Sequence, residues 1–167
     1  MDVGHWIGSV RFVSVTLLSL VAACATQTAT PPSHAEARAF LDEIVETAMR
    51  HEFEALCALG GGSCESFLAD PGSRDVPADR PTVVGMRLVA RQTSGPRPRT
   101  GGYILELCGQ DLDGDPYYSE MLVFRDFAGA LRAIEPLYWM GITIADDHSV
   151  GRELGSASNE LCAGGTL

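Results

Sequence analysis

Residues 33–59 read SHAEARAFLDEIVETAMRHEFEALCAL, and this stretch decides the fold. Its apolar side chains recur every three or four residues, as they do on the buried face of an amphipathic helix. Ser33 and Glu36 fit a capping box, so we expect the helix to begin there. A second helical stretch, Phe53 to Leu59, follows with little or no break and ends at glycines 60–62. The apolar positions of the first helix are Phe40, Leu41, Ile44, Val45 and Ala48.

After a loop rich in Pro, Gly, Asp and Arg at residues 70–81, the apolar period changes from helix to strand. A half-buried strand is predicted where Val84, Met86, Leu88 and Ala90 alternate with Gly85, Arg87, Val89 and Arg91. Three further strands are predicted at Tyr103–Cys108, Tyr117–Arg125 and Ala130–Met140. In the last of these, Pro136 favours an edge or a bulge, and Leu131 and Ile134 also suit a short helix. Beyond Ile144 the pattern indicates an irregular tail.

The apolar run from Phe12 to Ala23 leads into Val21-Ala22-Ala23-Cys24, which resembles the bacterial lipoprotein signal. The run is too short to span a hydrocarbon layer of roughly 30 Å as a permanent helix. The resemblance implies that residues 1–23 are removed and that Cys24 carries a lipid on the extracytoplasmic face of the cell membrane. Residues 24–32 then form a flexible tether and residues 33–167 a single domain. The alternative is an ordinary secretion signal cut after Ala23.

Four cysteines lie beyond Cys24, and an even number in an exported chain indicates two disulfides. Cys57 and Cys64 flank a short glycine-rich loop that can close locally. Cys108 would then join Cys162 and attach the C-terminal tail to a strand; the two other pairings stay open. Zinc is the rival interpretation, but the chain has no CxxC, and its histidines stand at no ligand spacing. We therefore expect no metal and no cofactor.

Composition excludes one class of function. The net charge is −10 and the chain contains no lysine, which argues against nucleic acid as a partner, because nucleic-acid binding needs clustered cations on one face. A negatively charged domain is mildly repelled by anionic lipids. We therefore expect the tether, and not a basic patch, to hold the domain at the membrane.

Successive helices followed by successive strands predict an α+β fold, with N-terminal helices packed on a curved antiparallel sheet of about four strands. This order resembles the cystatin-like and nuclear-transport-factor-2-like domains of bacterial lipoproteins, over most of Ser33 to Ile144. The likeness is carried by the run Ala37–Leu59, whose helical part ends with Arg50–Leu59, and by the strand series Val83–Ala90, Tyr103–Cys108 and Tyr117–Phe124. The resemblance implies a cone of sheet and helices that binds a small molecule or is filled by core. Some relatives are enzymes with an Asp and a His in the cone, but no such pair is matched here.

Catalytic and metal-binding patterns are weak. Asp111, Asp113 and Asp115 alternate like the start of a calcium loop, but Gly114 comes too early and no glutamate closes a twelve-residue loop. A hairpin turn explains the same residues. The histidine–carboxylate neighbours are His51 with Glu52 and Glu54, and His148 with Asp146 and Asp147. Adjacent residues rarely point the same way on a helix, so we expect these groups to be solvated and the protein to act by binding more than by catalysis.

The sequence predicts a lipid-anchored envelope protein that holds a small apolar or amphipathic molecule in the cone. A possible pocket is formed by Met86, Leu88, Leu105, Leu122 and Trp139. The alternative is a protein-interaction or structural module of the envelope with a closed core and no ligand. Aromatic and soft side chains also concentrate at two places, and we expect most of them to be core: Tyr117, Tyr118, Tyr138, Trp139 and Met140. If residues 138 and 139 lie on a strand, they point to opposite faces.

Overall fold

The structure is a computed structural model that describes residues 30–60, 64, 68–91, 100–144, 150–151 and 162. The predicted signal peptide 1–23, Cys24 as the predicted site of lipid attachment, most of the predicted tether and His148 lie outside the described residues. The described chain contains two α-helices followed by a four-stranded antiparallel sheet, so the predicted α+β class is confirmed.

The helices are α1, His34–Met49, and α2, Phe53–Leu59; a 3-10 turn follows at Pro71–Arg74. The sheet has the order β1-β2-β3-β4, and every neighbouring pair is antiparallel. Its strands are β1, Thr82–Val89, β2, Gly102–Gln110, β3, Pro116–Arg125, and β4, Leu131–Ile134. A second 3-10 turn covers Tyr138–Met140, and two short strands, β5, Thr143–Ile144, and β6, Val150–Gly151, pair with each other.

The predicted capping box begins α1. The Ser33 amide donates to Glu36 Oε2 at 2.8 Å, and the Glu36 amide donates to Ser33 Oγ at 3.2 Å. Two helix N–H groups that would otherwise lack partners are thereby satisfied. All five apolar positions predicted for the buried face of this helix are buried. The amphipathic pattern therefore gave the correct helix and the correct inner face.

The break between the helices lies at His51, which has a φ of 56°. This left-handed conformation lets the chain leave α1 and start α2 two residues later. At the far end of α2, the Gly60 backbone forms an isolated parallel bridge with Ala133 of β4. The helical layer is thus attached to the last strand of the sheet.

The sheet has two faces with different coverings. On the face toward the helices, here the helix face, Met86 pairs with Leu105 and Leu105 with Met121, and all three pack in the core that contains α1. On the opposite side, the back face, a second cluster contains Ile104 and Leu122. The other buried members of the back-face cluster are Val89, Phe124 and Ile144.

Strand β1 differs from the predicted alternation. The register shifts between Val83 and Gly85, so a bulge interrupts the pairing with β2. Beyond the bulge, Leu88 is on the helix side of the pairing, opposite Tyr103, yet 66% of its surface is exposed. Its position accounts for the exposure, because β1 is an edge strand with a neighbour on one side only.

The predicted strand Ala130–Met140 is only partly correct. Strand β4 ends at Ile134, because Glu135 has a φ of 60° and the next residue, Pro136, lacks an amide hydrogen. Tyr138 and Trp139 then lie in a 3-10 turn instead of on a strand, and both are buried in the helix-face core. Their rings meet edge to face with centroids 4.9 Å apart. The expectation that they point to opposite faces held only for a strand, and so it does not apply to this turn.

Candidate functional site

The five residues of the predicted pocket lie in three different environments. Leu105 and Trp139 are buried in the helix-face core, and Met86 packs against it. Leu122 belongs to the back-face cluster, and Leu88 is exposed at the edge. The structure therefore brings three of the five to one core and separates the other two from it. The side chains of α1 and α2 fill the space beside the three.

A groove of about 530 Å³ lies between α2 and the first 3-10 turn. Phe53 and Cys57 line it on the helix, and Leu68 and Arg74 line it on the other side. The Arg74 guanidinium carbon is 5.7 Å from the centre of the Phe53 ring, and Arg74 Nε donates to the Leu68 carbonyl at 3.1 Å. The groove therefore combines an aromatic ring, a positioned cation and, at its rim, the Glu54 carboxylate. Its volume is within the range of small-molecule sites, roughly 300–1,000 Å³.

Sequence reasoning missed this groove. Phe53 and Arg74 are distant in the chain, and the Cys57–Cys64 disulfide lies between them in sequence. The 3-10 turn that carries Arg74 is attached to the core, because Trp139 Nε1 donates to the Ser73 carbonyl at 3.1 Å. Nothing in the spacing of these residues indicates that they meet.

A polar cluster lies on the back face and was also not predicted. Glu120, on β3, accepts a hydrogen bond from Tyr118 Oη at 3.0 Å. It also forms an ion pair with Arg87 at 3.3 Å. Arg87 lies between Glu120 and Glu106, with its Nε 3.8 Å from the Glu106 carboxylate. Burial, followed by the nearby charge of Glu120, raises the pKa of Tyr118, so this phenol stays protonated.

The same pair of charges holds the chain segment that crosses the back face. Glu120 Oε2 accepts from the Ile144 amide at 2.7 Å, and Arg87 Nη2 donates to the Ile144 carbonyl at 3.0 Å. The two side chains thus bind one residue's backbone donor and acceptor, as a neighbouring strand would. Because both Glu120 oxygens already accept hydrogen bonds, the arrangement is a clamp and not a free general base. We call it the Arg87–Glu120 clamp.

Two tyrosine hydroxyls are buried without a hydrogen bond on the opposite side of the sheet. Tyr117 Oη and Tyr138 Oη have no partner among the described residues, and the same is true of Ser73 Oγ. Burial raises the pKa of Tyr138 to about 12 and that of Tyr117 further. These groups stay protonated at neutral pH and cannot act as bases there.

The two weak chemical patterns have structural explanations. Asp111 Oδ1 accepts from the amides of Asp113 and Asp115, at 3.0 and 2.9 Å, so these aspartates build the turn between β2 and β3. Within residues 30–60, 64, 68–91, 100–144, 150–151 and 162, no three His, Cys, Asp or Glu side chains are grouped to hold a metal ion. Glu52 pairs with Arg50 at 2.9 Å, while the His51 ring packs against Phe53.

Both disulfides of the favoured pairing are present. Cys57 is joined to Cys64 with their Cα atoms 5.2 Å apart, and Cys108 to Cys162 with theirs 5.4 Å apart. Disulfides of this structural kind form and persist in oxidising compartments. The first closes the turn beside the groove, and the second attaches a C-terminal residue to β2.

Comparison of the chain with protein-family models, with curated proteins and with solved structures gives no match. Within the part of the chain that the structure describes, no helix has the length and apolar character needed to cross a membrane.

Proposed function

We propose that the chain is a lipid-anchored protein of the bacterial cell envelope that acts by binding on the extracytoplasmic face. Its Val21-Ala22-Ala23-Cys24 sequence supplies the small residues and the thiol that lipid attachment requires. The two disulfides support an oxidising compartment. Lipid on Cys24 would fix the domain at the membrane through a tether of a few residues.

We further propose that the domain has a cystatin-like or nuclear-transport-factor-2-like cone that is filled by side chains. The observation that carries this proposal is the complete burial of Leu105 and Met121 beneath α1, with Trp139 closing the same core. A filled core favours a protein-interaction module of the envelope over a carrier with its ligand inside. Such a module contacts its partner through surface features.

A small amphipathic ligand is the second candidate, and the groove beside Cys57–Cys64 favours it. The Phe53 ring offers an apolar platform, and the Arg74 guanidinium offers a charge that its bond to the Leu68 carbonyl holds in place. A ligand with a flat apolar body and an anionic group fits this chemistry. The site proposed for the ligand thus moves from the cone to the groove.

The anchor is tested by replacing Cys24 with alanine in the native host. We expect Cys24→Ala to move the protein from the membrane fraction to the soluble envelope fraction, because the acyl chains supply most of the membrane affinity. Thr26→Ala, in the tether, is the matched control and stays with the membrane. Mass spectrometry of the N-terminal peptide should show a diacylglyceryl group on Cys24. A Cys24→Ala protein that remains membrane-bound contradicts the proposal.

A further inference from the structure

The folded domain meets its tether at one end of the sheet. A Cβ atom built on Gly101 would lie 3.4 Å from Pro31 Cγ and 2.8 Å from the Val89 carbonyl oxygen. Val89 is the last residue of β1 and pairs with Gly102, the first residue of β2. Pro31 therefore lies where β1 ends and β2 begins. We call this the tether end of the domain.

The length of the tether limits how far this end can move from the anchor. Pro31 is the seventh residue after Cys24, and a chain fully extended over those seven steps spans at most about 25 Å. Strand β2 runs from the tether end toward the turn at Asp111 and is about 27 Å long at 3.4 Å per residue. If Cys24 carries a lipid, the tether end is therefore the part of the domain held near the bilayer.

Two large apolar side chains are exposed at the tether end. Leu88 precedes the last residue of β1, and 66% of it is accessible. Phe127 is in the turn after β3, whose Phe124 pairs with Gly102, and 54% of it is accessible. Exposure of a phenylalanine to water at a turn tip does not stabilise the fold, whereas at a lipid surface the ring partitions into the interface.

Charge is also distributed unequally between the two ends. Among the described residues, the tether end carries three arginines and two carboxylates: Arg91, Arg125 and Arg132 with Glu36 and Asp126. The turn from β2 to β3, residues 111–115, carries three aspartates and no cation. In a chain of net charge −10, the described charges at the tether end thus sum to one positive charge.

We propose that the tether end is a docking surface for an anionic lipid bilayer, with Phe127 and Leu88 entering the interface and Arg91, at the same end, facing the lipid phosphates. This inference rests on the proposed lipid anchor at Cys24. Docking gives the domain one orientation, in which the acidic β2–β3 turn points away from the membrane and is repelled by it. From net charge alone, an anionic bilayer is expected to repel the whole domain. Docking instead requires attraction at the tether end only.

The test attaches the mature chain to vesicles without the help of the cell. Cys24 is the one cysteine outside the two disulfides, so the oxidised chain from Cys24 to Leu167, which contains every described residue, couples there to a maleimide lipid. The vesicles contain phosphatidylglycerol and phosphatidylcholine, with brominated acyl chains as quenchers. Phe127→Trp reports on the tether end. Leu112→Trp is the matched control, because Leu112 is 60% exposed in the opposite turn.

We expect brominated lipid to quench Phe127→Trp at least about twofold more than Leu112→Trp, with a blue shift only in the former. Arg91→Gln in the Phe127→Trp background should reduce the quenching, and so should high salt, because both weaken attraction to the phosphates. The buried Trp139 contributes the same background in all variants. Both reporter sites are exposed, so circular dichroism should show unchanged folding.

Equal quenching of the two reporters, or stronger quenching of Leu112→Trp, overturns the docking surface. Because the maleimide supplies the anchor, that result is independent of whether the cell lipidates Cys24. Conversely, a Cys24→Ala protein that stays in the membrane fraction contradicts the anchor and leaves the vesicle result unchanged. The two failures are therefore distinguishable.

Discussion

The two faces of the sheet reach stability by different means. The helix face is covered by apolar side chains of α1 and α2, and the polar atoms buried there include the hydroxyls of Tyr117 and Tyr138, which have no hydrogen-bond partner among the described residues. The back face is covered by the segment that contains Ile144, which the partly buried ion pair of Arg87 and Glu120 holds by its backbone. Each face also has one disulfide: Cys57–Cys64 belongs to the helical layer, and Cys108 shares the back face with Tyr118.

The two faces should tolerate different substitutions. An apolar face tolerates the loss of a hydroxyl but not the loss of volume, because its stability comes from packing. A face held by charges depends on the complete network, because removal of one member leaves the others buried and unpaired. Loss of side-chain volume should therefore destabilise the helix face most, whereas loss of a single charged or polar group should destabilise the back face most.

The largest expected effect compares the two disulfides. Cys108→Ala with Cys162→Ala opens a loop with a sequence separation of 54, whereas Cys57→Ala with Cys64→Ala opens one of 7. Loop-closure entropy gives a loss of about 4 kcal/mol for the first pair and about 2.5 kcal/mol for the second. Urea unfolding of both double variants measures the difference. An equal or larger loss for the short loop would show that the back-face bridge does little to hold its segment.

The next effect concerns volume on the helix face. Leu105→Ala should lower the free energy of unfolding by about 3 kcal/mol, because Leu105 is fully buried and leaves a cavity. Leu88→Ala is the control on the same face, and its loss should stay below about 0.5 kcal/mol because Leu88 is exposed. Denaturant unfolding measures both. A small loss at Leu105 would be evidence that it lines an open cavity and not a filled core.

The charged clamp on the back face is tested by Glu120→Gln, which keeps the shape and removes the charge. We expect a loss of about 2 kcal/mol, because Arg87 and the Ile144 amide lose their strongest acceptor. Glu106→Gln is the matched control: its ion pair with Arg87 is longer, at 3.8 Å, and more exposed, so its loss should be less than about 1 kcal/mol. Hydrogen exchange of the Ile144 amide should speed up in the first variant alone.

Tyrosine hydroxyls give a smaller and sharper contrast between the faces. Tyr118→Phe should lower the free energy of unfolding by about 1 kcal/mol because the bond to Glu120 is lost, whereas Tyr138→Phe should leave it unchanged.

Burial raises the pKa of Tyr138 to about 12, so its protonated form is favoured in the fold. The corresponding stability is complete below the usual pKa of about 10 and is lost as the pH rises toward 12. Ultraviolet titration of wild type and Tyr138→Phe checks this; a loss of stability in Tyr138→Phe at neutral pH would contradict the unpartnered hydroxyl.

The smallest effect is at the start of α1. The Ser33 amide and hydroxyl, and then Arg125, lower the pKa of Glu36, so its stabilising contribution is present above the usual pKa and is lost as the pH falls through the lowered value. Glu36→Gln should therefore flatten the acid limb of the stability profile slightly. Thermal unfolding between about pH 3 and pH 6 measures it. An unchanged acid limb would mean that the capping box adds nothing there.

The helix face was more predictable from sequence than the back face. The α1 and α2 patterns and the capping box depend on residues close in the chain, and all are observed. The cysteine pairing followed from the short loop between Cys57 and Cys64, and it too is observed.

The remaining features depend on contacts between distant residues. The bulge in β1 is set by pairing with β2, and the end of β4 is set by the conformation of Glu135. The Arg87–Glu120 clamp joins three chain segments, and the groove joins Phe53 to Arg74. The periodicity of apolar residues describes one helix or strand at a time, so it does not predict contacts between residues that are distant in sequence.

The most direct test of the filled core is native mass spectrometry of the Cys24→Ala chain, collected from the envelope of its own host. For a filled core we expect the mass of the bare polypeptide less four hydrogens for two disulfides, with no companion molecule. An additional mass that leaves on denaturation and survives Arg74→Gln, a change confined to the groove, would contradict it. That result would place a ligand inside the domain and make the protein a carrier.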